Sequence, residues 1–174
     1  EGSVALGQRA NAAGVWSTAL GGEANANGSS SVALGNKTNA GGSSSMAVGY
    51  IAKAGGDHSI ALGQYANANT EKSIALGARA AASGNNSITI GAVSSATMAD
   101  AVAMGYDANA AGAKSIALGA MSNAGGEAGI AIGYTAKTSD LCTVAVGYRA
   151  SASKDACIAI GSRTNSSAQS GIAI

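Results

Sequence analysis

The sequence predicts an all-β fold: a parallel solenoid of fourteen-residue coils stacked into a β-roll. Three observations carry this. Glycines recur at every fourteenth position, from Gly7, Gly21 and Gly35 through to Gly161, twelve in register without an insertion. The residues before each glycine are apolar and largely β-branched, as in SVALG at Ser3–Gly7, SIALG at Ser59–Gly63 and GIAIG at Gly129–Gly133. The 174 residues contain no proline, which would delete a backbone donor from a coil-to-coil ladder.

Each coil opens with a short strand. Counting the last copy, GIAI at Gly171–Ile174, the motif occurs thirteen times. Such runs are too short for a helix, and β-branched residues fit a pleated, buried surface. A weaker element starts three residues after each glycine and reads A-N-A at Ala10–Ala12, Ala24–Ala26, Ala66–Ala68 and Ala108–Ala110. It reads as a second strand. A glycine often closes it, as at Gly14, Gly28, Gly42 and Gly56, and is expected to supply a positive φ to a turn. Later coils replace that glycine with Thr70, Met98, Asp140, Lys154 and Ala168, which leaves the turn around residues 94–99 unspecified by the pattern. Two strands and two turns make a flattened coil with a parallel sheet on each side. At about 4.8 Å per coil, the stack forms a rod roughly 60 Å long.

Alternation assigns the faces. In the first strand, Val4 and Leu6 point one way and Ala5 the other. The expectation is that the large residues fill the coil, opposite the small Ala10 and Ala12. The outer face would then carry an alanine rank, Ala5, Ala19, Ala33, Ala47, Ala61, Ala75, Ala103 and Ala117, as the surface of parallel self-association. The reverse assignment of the two faces is the alternative. Neither distinguishes a dimer from a trimer.

A single repeat pattern implies one domain over residues 1–174. The pattern begins and ends in mid-repeat, so a piece of a longer fibrous protein is expected. A net charge of +1, with ten basic and nine acidic residues scattered among the turns, argues against nucleic acid or an anionic membrane surface as partner. No apolar run is long enough to span a bilayer. Cys142 and Cys157 fall fifteen residues apart, one more than the repeat, so their side chains should leave the wall on opposite faces as two free thiols.

The unit S-[VI]-A-[LIV]-G-x-x-A-x-A-x-G-x-x, running from Ser3 to Ile174, resembles the YadA-like head repeat of trimeric autotransporter adhesins. The resemblance implies a left-handed parallel β-roll, three chains side by side as a homotrimer, and adhesion to host extracellular matrix or cell-surface molecules. It also implies a location at the bacterial cell surface, with the outer membrane reached only through a C-terminal anchor absent from this sequence. Similar repeats occur in phage tail fibres, which leaves a structural spacer or the receptor-binding segment of a virion tail fibre as the alternative.

No enzyme is expected, and no cofactor, metal or catalytic residue. His58 is the only histidine and falls in a turn. Hexapeptide acyltransferases are also trimeric solenoids, but their six-residue unit does not match the period. An ice-binding solenoid would need a regular threonine rank, which is missing. The candidate ligand contacts are Tyr50, Tyr106, Tyr134 and Tyr148, which follow the repeat glycine, with Tyr65 one position later. Tyr134 and Tyr148 lie one coil apart and are placed to stack. Tyrosine on a rigid surface is good binding material, and it also covers grooves between subunits. Trp16, in a turn, is either an exposed anchor or a packed cap. Asn11, Asn25 and Asn39 share one repeat position and are placed to form an amide ladder.

Overall fold

The computed structural model describes residues 2–174 and contains two parallel sheets and no helix. One sheet has thirteen strands of the Val4–Leu6 type, the other twelve two-residue strands of the Asn11–Ala12 type. Each strand pairs with its equivalent one coil away, in parallel and in strict register: Ala5 opposite Ala19, Ala61 opposite Ala75, Asn11 opposite Asn25. The register holds where the motif drifts. Ser95–Ala96 pairs normally with Ala81–Ala82 and Asn109–Ala110, so the turn after it keeps the common geometry.

Two β-turns join the strands of a coil, and they begin seven residues apart. The N–H of Ala10 donates to the carbonyl of Gly7, and that of Ser17 to the carbonyl of Gly14. Each turn places its third residue in the left-handed region. Every seventh residue from Arg9 to Ser170 therefore has a φ between 52° and 62°, and none of them is glycine. The set includes Ile51 and Val93, for which this conformation is costly. The ladder holds them there. The N–H of Lys37 donates to the carbonyl of Gly22, and that of Arg79 to the carbonyl of Gln64, so coil-to-coil bonding continues through the turns.

This corrects one expectation. The glycines that close the second strand, such as Gly14 and Gly28, do not have positive φ; the left-handed residue comes two positions later, at Trp16 and Ser30. These glycines are needed because the backbones come so close. A Cβ on Gly28 would run into the carbonyl of Gly42. The repeat glycine is constrained twice. Gly63 has a φ of 135°, and a Cβ there would lie 2.5 Å from the carbonyl oxygen of Gly77.

The face assignment is also reversed. Ala19, Ala33, Ala47, Ala61, Ala75, Ala103 and Ala117 are completely buried within a single chain. They face Ala24, Ala26, Ala66, Ala68 and their equivalents across the coil, which are sealed equally well. Ala5, in the first coil, belongs to the same rank but is left exposed. The alanine rank is thus the core, not a surface for a neighbour. Turn geometry gives the reason. A β-turn brings its end Cα atoms within about 7 Å, whereas sheets packed through large side chains stand about 10 Å apart. The gap admits only small side chains.

The strand-start serines share the interior with the alanines. The hydroxyls of Ser17, Ser59, Ser73 and Ser115 each donate to the carbonyl three residues back, at 2.6–2.7 Å, tying the turn from inside. Thr38, Ser94 and Ser122 make the same bond in the other turn. Cys157 occupies a serine position of this rank and is buried, while Cys142, at a left-handed turn position, is exposed; both are free thiols.

Candidate functional site

With alanine inside, its strand neighbours must point outward. The outer face of the thirteen-stranded sheet is consequently a continuous array of Val, Ile, Leu and Met, two per strand except in the two-residue last strand. Thr18 is its one polar rung. Leu20, Leu34, Ile90, Met104, Ile132 and Ile160 are 36–42% exposed along its length. Thirteen strands at about 4.8 Å give a strip close to 60 Å long, well beyond the apolar patches that monomers normally leave to water.

The two rows of turns form the edges of the rod, and they differ. The edge that follows the repeat glycine carries all five tyrosines, each exposed. Tyr134 and Tyr148 stack with ring centroids 5.7 Å apart and planes 9° from parallel, as their spacing predicted. Tyr50 and Tyr65, also on adjacent coils, meet edge to face at 5.5 Å. Tyr106 has no aromatic partner among the described residues. The guanidinium groups of Arg149 and Arg163 both lie 5.8 Å from the Tyr148 centroid, so the C-terminal stack is a mixed aromatic and cationic ladder. Trp16 is on the opposite edge. It is 66% exposed, but its ring lies against Gly2, so it serves in part as a cover for the first coil.

Charge divides between the edges as well. The tyrosine edge carries Arg9, Lys37, Arg79, Arg149 and Arg163 against Glu23 and Asp107. The other edge carries Asp57, Glu71, Asp100, Glu127, Asp140 and Asp155 against Lys72, Lys114 and Lys154. Several of these carboxylates are held in place by the preceding coil. The N–H of Ser43 donates to Asp57 at 2.8 Å, that of Leu141 to Asp155 at 3.2 Å, and the Asn86 amide to Asp100 at 3.0 Å. Lys72 and Glu71, 2.8 Å apart on the acidic edge, form the one ion pair among the described residues. The hydrogen bond and charge of Glu71 raise the Lys72 pKa above its ordinary value.

The outer face of the twelve-stranded sheet is polar. Asn11, Asn25 and Asn39 lie on it in register. Their side-chain bonds do not run rung to rung: the Asn25 amide donates to the carbonyl of Glu23, and that of Asn11 to the side chain of Asn27. Lys53 and Lys137 interrupt the asparagine rank at equivalent positions. His58 sits exposed in a turn.

The structure thus brings two tyrosine pairs together, sets the asparagines in a row, and puts every alanine of the predicted interface rank except Ala5 in the interior. Sequence reasoning held the outward apolar strip only as the alternative to its preferred face assignment, and it missed the acidic charge of the second edge. The signal for the strip was present: four residues from Gly7 to Ala10 leave no room for Leu between the sheets. The charge division needed the seven-residue spacing of the turns, which residue types do not announce because the left-handed positions accept nearly any side chain.

The family model for the YadA head domain repeat, two copies to each model, matches residues 1–15, 17–38, 40–66, 68–94, 96–122, 124–150 and 143–164. Among solved structures, the chain is similar to the collagen-binding domain of the Yersinia adhesin YadA. The identity is 23% and the TM-score 0.46, over 99% of this chain and 79% of that one. No curated protein matches.

Proposed function

From a chain that belongs to the YadA head-repeat family, we propose a non-catalytic adhesive head, displayed on a bacterial surface fibre as a parallel homotrimer. Its ligands are host extracellular-matrix or cell-surface molecules. The observation that carries this reading is the family repeat itself, matched in successive segments from residue 1 to residue 164. The outward apolar strip supports the trimer, because a strip of that length is stabilised by being covered, and three copies around an axis along the rod cover all three strips. The asparagine rank on the outer face of the twelve-stranded sheet supplies the ligand contacts, together with the tyrosine rings left at the rim of the assembly. Each contact is weak, and repetition along the coils and over three chains multiplies them into avidity.

The test uses the whole chain. Light scattering after size exclusion should give the mass of three copies. That trimer should bind one or more of a panel of immobilised matrix proteins, collagen included, and intact host cells. Deleting residues 63–90 removes two coils without changing the register, and should weaken binding gradually. A folded trimer that binds neither the panel nor cells overturns the adhesive reading and leaves a spacer.

A further inference from the structure

The opposite charge of the two turn edges is not used within the chain. Apart from the neighbouring Lys72 and Glu71, no ion pair forms among the described residues, because the edges lie on opposite sides of the coil. We propose that the edges meet between copies, the basic tyrosine edge of one against the acidic edge of the next, as an electrostatic seam that selects parallel, in-register assembly. This rests on the self-association proposed above and adds what sets its direction.

Geometry makes the edges selective. When apolar faces are brought together by rotation about an axis along the rod, the tyrosine edge of each copy meets the acidic edge of its neighbour. When one rod is instead turned end for end, like edges meet, basic against basic and acidic against acidic. The apolar strip looks nearly the same in both directions and discriminates poorly. The edges supply the discrimination, the role in which interfacial charge is most effective.

One coil carries the signature of pairing level by level. There the basic edge turns acidic, at Asp107, and in the same coil the acidic edge turns basic, at Lys114. Both side chains are exposed, and neither is in an ion pair among the described residues. In a parallel, in-register assembly Asp107 of one copy stands within about half a coil of Lys114 on the next. The two signs reverse together. In the Arg149 coil the other edge carries both Lys154 and Asp155, the latter fixed by the N–H of Leu141, and the coils of Arg9, Glu23, Lys37, Arg79 and Arg163 carry no charge on that edge.

A charge-swap cycle at Asp107 and Lys114 tests the seam. Sedimentation of the unaltered chain reports first whether it self-associates at all, and a monomer would overturn the seam together with the trimer. Given assembly, Asp107→Lys or Lys114→Asp alone should lower the association constant about tenfold or more at low salt, since each effect is repeated at every seam. The double swap should recover most of that loss. Circular dichroism of each variant checks that the coil is intact, and the unaltered chain should itself associate more weakly on going from about 50 mM to about 500 mM salt. Single reversals without effect, or a double swap that fails to recover, in a chain that still trimerises, would overturn the seam and leave the trimer standing.

Discussion

Ala61 and Leu62 are consecutive residues of one three-residue strand and lie on opposite sides of the coil wall. Ala61 is sealed inside and Leu62 faces outward. Substitutions at the two positions should therefore fail in different ways. Ala61→Leu overpacks a gap built for methyl groups and should lower the unfolding midpoint of the isolated chain by an amount equivalent to about 1–3 kcal/mol or more. Leu62→Lys should leave the coil intact by circular dichroism and weaken self-association. If Ala61→Leu left the fold unharmed and only dissociated the chains, the interior would be wrongly assigned.

Two glycines that look alike in sequence should respond differently to alanine. Gly63→Ala combines a φ of 135° with a Cβ 2.5 Å from the Gly77 carbonyl oxygen, and should cost about 3 kcal/mol or more. Gly41 has open space to 3.6 Å and an ordinary φ, so Gly41→Ala should be neutral or stabilising by up to about 1 kcal/mol. Urea unfolding of both variants beside the parent checks the contrast. Midpoints should be compared, because long repeat arrays need not unfold in two states.

Val93 holds a β-branched side chain at a φ of 62°, on an exposed turn. Asparagine tolerates the left-handed region far better. Val93→Asn should raise the melting temperature, by a free energy of about 1 kcal/mol. A lowered melting temperature would mean that the valine makes a contact worth more than the strain that asparagine relieves.

The two thiols should react at different times. Cys142 is exposed and Cys157 is buried, with its sulfur 3.4 Å from the Ser166 carbonyl oxygen. A maleimide should label Cys142 in the native chain at once, and Cys157 only on unfolding. Mass spectrometry of the labelled peptides separates the two sites. Rapid native labelling of Cys157 would show that the last coils open.

Coil length, parallel pairing and register were all legible in the residues alone. Gly7 to Gly161 leave no freedom for insertion, and a β-branched strand at a fixed phase can pair only with its own equivalent. The residues also determined that Tyr134 meets Tyr148, because one repeat is one ladder step. Period-2 alternation separated Ala61 from Leu62 but is symmetric between inside and outside. Only the tertiary structure broke that symmetry, through a physical limit that no strand pattern contains: two four-residue turns hold the sheets too close for anything larger than Ala, Ser, Thr or Cys between them. The same turns decided where charge accumulates. Their left-handed residues accept Arg9, Glu23, Ile51 and Val93 alike because the ladder, not the side chain, fixes the backbone, and so the edges became visible as surfaces of opposite sign only once the coils were stacked.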